Sequence, residues 1–122
     1  MARKRNSFAP SEDDITAAVV EHWRLLGRLN TLVASIPNKR AFGQPGLTRG
    51  LPDLLVLAPE LPGGVGFIEL KRDARSHYTD EQRLFGRLCA TLGIRHVLCV
   101  GRDEPIRVLE DWGAVRRQAR AA

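Results

Sequence analysis

Residues 50–71, GLPDLLVLAPELPGGVGFIELK, contain the clearest strand patterns in this chain of 122 residues. Leu54 to Leu57 is a short continuous apolar run. From Gly66 to Lys71 the residue types alternate in the way expected of the two faces of a strand. The intervening segment APELPGGV is rich in Pro and Gly, which favour turns. The sequence therefore predicts a hairpin of two neighbouring strands.

The second strand of this hairpin carries an unusual charge pair. Glu69 and Lys71 share one face with Phe67, while Ile68 and Leu70 share the other, because successive side chains of a strand point to opposite sides. Burying two opposite charges costs desolvation energy that their pairing does not always recover. On this triplet alone, a solvated ion pair on an edge strand is the favoured interpretation.

A third charged residue, Asp53, stands just before the first strand. Pro52 fixes its own φ and biases Leu51 toward an extended conformation, and Gly50 allows a tight turn. If the strands pair as a hairpin, Asp53 and Glu69 come close enough to share a hard cation such as Mg²⁺. Taken alone, Asp53 is equally well explained as a turn residue after proline.

The flanking segments predict helices and strands in the order α-β-β-β-α-β-α, an α/β fold with one mixed β-sheet flanked by helices. Ser11 predicts the N-cap of a first helix that runs to about Leu26. Its predicted apolar face comprises Ile15, Val19, Trp23 and Leu26. A β-like run, Leu29 to Ile36, follows, and KRAFGQPGLTRG is predicted to be a loop.

Thr79 predicts the N-cap of a second helix, which ends at Gly93 and precedes the strand RHVLCV. Strand, helix and strand in this order predict a right-handed parallel crossover. A last helix is predicted from about Ile106 to Ala119, with its inward face formed by Val108, Leu109, Trp112 and Val115.

The charge balance favours polyanionic partners. Lys and Arg number 19 against 14 Asp and Glu, a formal charge of +5, and with 43% hydrophobic residues the chain suits one modest core. We therefore divide it into a basic N-terminal arm, 1–10, and a single domain, 11–122. The basic residues at the two ends, which solvation explains as well as phosphate binding, are Arg3, Lys4, Arg5, Arg116, Arg117 and Arg120.

Neither a membrane span nor a secretory signal segment is apparent, so we expect a cytoplasmic protein. Cys89 and Cys99 lie in apolar runs, which favours buried, reduced thiols over a zinc site.

The two hairpin segments resemble the PD-(D/E)xK nuclease superfamily and, within it, the virus-type replication-repair nuclease (VRR-NUC) family. The likeness extends from about Glu12 to Val100. It comprises, in order, SEDDITAAVVEHW, IPNKR, RGLPDLLVL, FIELK, TDEQ and LGIRHVLCV. The resemblance implies a restriction-endonuclease-like core and a stand-alone member of the phage and bacterial type, acting in a bacterial cell or a phage-infected host.

The resemblance also implies the residue roles. Asp53 and Glu69 would bind Mg²⁺, with Mn²⁺ able to substitute, and the backbone carbonyl of Leu70 would be a further ligand. Lys71 would orient or activate the attacking water and offset charge on the phosphate. Gln82 would support the site from beside Lys71, although without the resemblance it is an ordinary exposed helix residue.

The acidic first helix offers several candidates for an additional metal-site carboxylate. At about 100° per residue, Glu12 lies within roughly 60° of the helix's apolar face, whereas Glu21 points the opposite way. Glu12 is therefore the first choice and Glu21 the second, and helix capping explains an acidic residue at position 12 equally well.

Five basic residues near the motif would contact DNA phosphates on either side of the scissile bond, or form solvated loop charge. They are Lys39, Arg40, Arg49, Arg72 and Arg75. The three histidines are not grouped as a metal set, and His77 alone lies near Lys71 in sequence.

The resemblance implies hydrolysis of phosphodiester bonds in structured DNA, with four-way (Holliday) junctions cut by a homodimer as the favoured substrate and no small-molecule cofactor. A flap or nicking nuclease is the nearest variant. A non-catalytic DNA-binding module would be expected to have lost Asp53, Glu69 or Lys71. RNA binding lacks support, since one Tyr and four Phe offer few bases a stacking surface.

Overall fold

The computed structural model describes residues 10–37, 46 and 48–119, which form a four-stranded mixed sheet with three flanking α-helices. The elements are α1 (Glu12–Leu26), β1 (Leu32–Ser35), β2 (Leu54–Leu57), β3 (Val65–Lys71), α2 (Asp80–Leu92), β4 (Arg95–Val100) and α3 (Asp103–Asp111). The spatial order of the strands is β1-β2-β3-β4. The predicted α/β class and order of elements are confirmed.

The predicted hairpin and crossover both form. Strands β2 and β3 pair antiparallel with Leu54 opposite Ile68, and a short 3₁₀ turn at Pro62–Gly64 joins them. Strands β3 and β4 pair parallel through α2, with Glu69 opposite Leu98. The charged strand β3 is therefore central, and both of its edges are paired.

The helices cover opposite faces of the sheet. On one face, Ile15 and Val19 of α1 belong to the same buried core as Ile68 and Leu70, which are fully buried, and α3 contributes Leu109 to it. On the other face, Phe85 of α2 packs edge-on against Phe67 at 5.2 Å between ring centroids. Glu69 and Lys71 lie on this second face, so their charges are separated from the main apolar core.

Capping boxes fix the starts of α1 and α2. Ser11 accepts from the Asp14 N–H while Asp14 accepts from the Ser11 N–H. Thr79 accepts from the Gln82 N–H at 3.1 Å, and Gln82 Oε1 accepts from the Thr79 N–H at 2.9 Å. The second box holds the Gln82 side chain at the end of α2 that faces β3.

Two predicted boundaries are wrong. The first strand begins at Leu32 and not at Leu29, because Asn30 adopts a positive φ of 62° and Leu29 is 89% exposed in the turn. The last helix spans Asp103–Asp111 and not 106–119, because Gly113 leaves helical geometry with φ of 77°. Val115 is buried as predicted, but in a bridge to Gly27.

Both cysteines are free and buried, as predicted. Burial, aided by the charge of Glu104, raises the pKa of the Cys99 thiol to about 12. No helix in the described parts of the chain combines the length and apolar content needed to cross a membrane.

Candidate active site

Asp53 and Glu69 meet at the open end of the β2–β3 hairpin. Continuing the register of these strands by one pair beyond Leu54 and Ile68 places the two residues opposite each other, on the same face. Asp53 Oδ2 accepts a hydrogen bond from the Leu70 N–H at 2.7 Å, which fixes the Asp53 carboxylate at the edge of β3.

The backbone of Leu70 adds an oxygen to this corner. Its N–H points toward β2, and the carbonyl of the same residue points the same way in an extended strand. Continuing the same register by a second pair places Pro52, which has no N–H to donate to that carbonyl, opposite Leu70. A proline at this position therefore leaves a backbone acceptor beside the two carboxylates, where the resemblance implies a metal ligand.

A hydrogen-bond network holds Lys71 next to Glu69. Gln82 Nε2 donates to Glu69 Oε2 at 2.6 Å, and Lys71 Nζ donates to Gln82 Oε1 at 3.2 Å. Lys71 Nζ also donates to the His77 backbone carbonyl at 2.5 Å and lies 3.7 Å from Glu69 Oε2. The structure thus brings together Asp53, Glu69, Leu70, Lys71 and Gln82, the residues to which the family resemblance gives a role.

Glu69 is the most perturbed acid of the site. Burial, with the side chain 97% inaccessible, raises the pKa of its carboxyl group to about 8, and the charge of Asp53 adds to the effect. Lys71 lowers this pKa, whereas a hydrogen bond with Asp53 and the charge of Glu12 raise it further. Two carboxyl groups in contact here hold a proton at neutral pH unless a cation replaces it.

The donor set suits a hard divalent cation. Two carboxylates and one backbone carbonyl are the oxygen ligands that Mg²⁺ prefers, with water completing its shell. Within the described ranges, no three His, Cys, Asp or Glu side chains are grouped closely enough to hold one ion. In this part of the chain the side-chain ligands would therefore be Asp53 and Glu69, and the remaining ligands would be the Leu70 carbonyl and water.

The choice between Glu12 and Glu21 is informed by the electrostatics. Glu12 is half-buried at the N-terminus of α1 and lies near enough for its charge to raise the pKa of Glu69. Glu21 is 59% exposed at its side chain and lies 3.6 Å from Arg24. Glu12 is the nearer carboxylate, and its role as a ligand stays a prediction.

The arginines flanking the motif point to solvent or to neighbouring acids. Arg49 lies 4.0 Å from Glu81 at the start of α2, and the Arg72 Nε lies 3.7 Å from Asp73. Arg75 is exposed. Lys39 and Arg40, like Arg3 to Arg5 and Arg120, lie outside the described residues. DNA contact by these side chains stays a prediction.

Two contacts of the site were not predicted from the sequence. The His77 residue acts through its backbone carbonyl and not through its exposed imidazole. The Tyr78 ring lies 5.8 Å from Lys71 Nζ, and burial together with the charge of Glu69 raises the pKa of Tyr78. The position of Tyr78 directly before the N-cap Thr79, on the segment returning from β3, is the one sequence signal that could have indicated it.

Two solved structures with a similar fold carry the same domain name. A chain described as "VRR_NUC domain protein" superposes with a TM-score of 0.70 at 24% sequence identity, covering 85% of this chain and 88% of its own. A second, described as "VRR_NUC domain", gives 0.59 at 21% identity, covering 81% and 94%. No family model and no curated protein matches the sequence. At these identities the likeness concerns the fold: the chain has the fold of VRR_NUC domain proteins, as its resemblance to that family implied.

Proposed function

We propose that this chain is a metal-dependent endonuclease of the VRR-NUC type, which hydrolyses phosphodiester bonds in DNA at a centre formed by Asp53, Glu69 and Lys71. The observation that carries the proposal is the buried contact between the Asp53 and Glu69 carboxyl groups beside a lysine. Such a contact is unfavourable without a cation, and it lies at one end of a sheet with the VRR_NUC fold.

Mg²⁺ bound here would lower the pKa of a coordinated water and offset the negative charge of the phosphate. Asp53 and Glu69 would hold the ion through their carboxylates, and Leu70 through its carbonyl. Mn²⁺ has similar oxygen ligands and would substitute.

Lys71 is suited to orienting the attacking water and contacting the phosphate. An ammonium group has three N–H donors, and His77 and Gln82 take two of them. The third can reach a water or a phosphate oxygen next to Glu69. Gln82 binds both Glu69 and Lys71, and we assign it a positioning role because it fixes the distance between acid and amine.

For the substrate, we propose branched DNA, with four-way junctions cut by a homodimer. The formal charge of +5 favours nucleic acid, and the preference for junctions comes from the family resemblance. Three leucines one turn apart on α2, Leu84, Leu88 and Leu92, are 53–62% exposed and give a second copy an apolar stripe to pack on. A flap or nicking nuclease remains the alternative.

The test is cleavage of labelled junction, flap, duplex and single-stranded DNA, with Mg²⁺, Mn²⁺ or EDTA. We expect metal-dependent cuts that fall at least 100-fold in Lys71→Ala. Arg107→Ala, which removes one exposed positive charge on α3, should cut like the wild type.

Absence of metal-dependent cleavage on every substrate, or equal rates for the Lys71 and Arg107 variants, would contradict the nuclease proposal. Tight DNA binding without cleavage would instead support the non-catalytic module. Paired cuts confined to the junction would support the dimeric resolvase, and single cuts in flaps would support the alternative.

A further inference from the structure

A second basic surface begins where the candidate active site ends. The Tyr78 ring, which lies near Lys71, also lies 4.9 Å from the guanidinium of Arg83 on α2. From Tyr78 a shallow groove of about 380 Å³ runs between α2 and β4. Its lining residues are Tyr78, Arg83, Gly86, Arg87, Ala90 and His96.

Gly86 keeps the floor of this groove open. A glycine in the middle of a helix costs about 1 kcal/mol relative to alanine, so its presence in α2 has no benefit for the helix itself. A Cβ at this position would lie 3.2 Å from His96 Cε1 and 3.5 Å from the Tyr78 hydroxyl. The glycine therefore allows the aromatic and imidazole rings to approach the helix backbone.

The two arginines of the groove are available to a ligand. Arg83 and Arg87 are both exposed and stand one turn apart on the same face of α2, with Cβ atoms about 6 Å apart. Within residues 10–37 and 48–119 neither forms an ion pair with a carboxylate, in contrast to Arg49 and Arg117. The Tyr78 ring holds the Arg83 guanidinium in place by a cation–π contact.

His96 gives the groove a neutral polar group. Burial lowers the pKa of its imidazole, so the ring is uncharged at neutral pH and both donates and accepts hydrogen bonds. The groove thus offers two cations, an aromatic ring and a neutral imidazole, next to the lysine of the active site. The two cations are suited to binding phosphates. The aromatic ring and the imidazole are suited to binding the faces and edges of nucleobases.

We propose that this groove binds an unpaired nucleotide of the substrate strand, directly beside the phosphate that is cut. Arg83 and Arg87 contact its phosphates, and Tyr78 and His96 contact its base. The volume suits one nucleotide-sized group, and a base in a duplex has its faces covered by its neighbours. The inference rests on the proposed nuclease function and deepens it, since the groove would favour the flap alternative, whose branch has unpaired nucleotides, over continuous duplex or a fully paired four-way junction.

Binding without cleavage tests the groove separately from catalysis. The probe is a fluorescein-labelled oligothymidine of about eight nucleotides, titrated in EDTA and followed by anisotropy at several salt concentrations. The groove variant is Arg83→Gln with Arg87→Gln. Its matched control is Arg102→Gln with Arg107→Gln, which removes the same charge from exposed positions at α3.

We expect the groove variant to bind the probe at least tenfold more weakly and the control less than threefold more weakly. The slope of log affinity against log salt should fall by about 1.4 in the groove variant, the loss of two phosphate contacts on a single strand. Gly86→Leu, which fills the groove without changing charge, should weaken binding at least fivefold. Thermal melts of each variant confirm that it is folded.

Equal weakening by the two double variants, or unchanged binding by a folded Gly86→Leu, would overturn the groove proposal. Cleavage assays on the same proteins distinguish it from the nuclease proposal. If the groove variants bind normally while the wild type cuts DNA, only the groove fails. If the wild type cuts nothing but the groove variants bind weakly, only the nuclease proposal fails.

Discussion

Replacing Glu69 by glutamine should stabilise the metal-free protein, and increasingly so as the pH rises. In the fold, the pKa of Glu69 is raised from 4.5 to about 8, chiefly by burial and by the charge of Asp53. Between these values the unfolded chain has released its proton while the folded chain retains it. The free energy of unfolding therefore falls as the pH rises through this window, and glutamine removes that loss.

The size of the effect follows from the two pKa values. One pKa unit is worth about 1.4 kcal/mol, so Glu69→Gln should stabilise by about 1 kcal/mol at pH 5 and about 4 kcal/mol at pH 8. The amide can keep its oxygen as the acceptor for Gln82 and donate from its nitrogen to Asp53. The variant should therefore keep the contacts of Glu69 while removing its charge.

Urea unfolding of both proteins in EDTA, from pH 5 to pH 8, measures this difference. The matched control is Glu110→Gln, because Glu110 is also buried, at 5% exposed. Its carboxylate accepts from the Gln118 N–H at 3.2 Å and lies 3.9 Å from Arg117. Removing the charge there should lower stability.

Addition of Mg²⁺ to the wild type gives an independent check, since the ion must displace the shared proton. Stabilisation by Mg²⁺ should be larger at pH 8 than at pH 5, and Glu69→Gln should abolish most of it. A wild type that is as stable as the glutamine variant across the whole pH range in EDTA would refute this account of the site.

Three further predictions concern the supports of the site. Gln82→Ala and Thr79→Ala each break the α2 capping box and should lower stability by about 1 kcal/mol in thermal melts. Only Gln82→Ala should also slow cleavage, by tenfold or more, because Gln82 binds Glu69. Equal loss of activity in the two variants would contradict the positioning role of Gln82. In sedimentation velocity, Leu88→Arg should convert the dimer to a monomer, whereas Leu25→Arg, at an exposed site on α1, should leave the dimer intact. A wild type that sediments as a monomer would contradict the homodimer. Gly50 has a φ of 88°, and a Cβ there would lie 2.6 Å from the Glu81 backbone, so Gly50→Ala should lower the free energy of unfolding in urea by about 2 kcal/mol or more. Gly63→Ala, with a φ of 67° and open space around the Cβ, should lower it by about 1 kcal/mol. Similar losses in the two variants would mean that the contact with Glu81 is unimportant.

Sequence patterns predict the parts of this fold that short-range chemistry determines. Thr79 and Gly93 define α2 because one caps its N-terminus and the other adopts the left-handed conformation at its C-terminus. The start of β1 and the end of α3 depend instead on distant contacts. Val115, predicted to be helical, is held in a bridge to Gly27, and no local pattern encodes that partner.

The same division applies to the candidate site. The hairpin places Asp53 opposite Glu69 because strand register is regular once one pair is known. The bonds that position Lys71 depend on how residues 72–79 return toward β3, so the roles of the His77 carbonyl and the Tyr78 ring could not be predicted. Helical periodicity favours Glu12 over Glu21, and the charge of Glu12 does raise the pKa of Glu69, although α1 packs on the opposite face of the sheet.

The contrast between two buried glutamates is the strongest argument that this arrangement serves a function. Glu110 is buried as structural carboxylates commonly are, with an arginine beside it and a backbone N–H bonded to it. Glu69 also has a cation and a donor beside it, Lys71 at 3.7 Å and Gln82 Nε2 at 2.6 Å, but it is buried against a second carboxylate as well, and its pKa is raised to about 8. Stability alone would favour glutamine at position 69. An acid at that position is what the proposed metal site requires, because the cation would be held by both carboxylates.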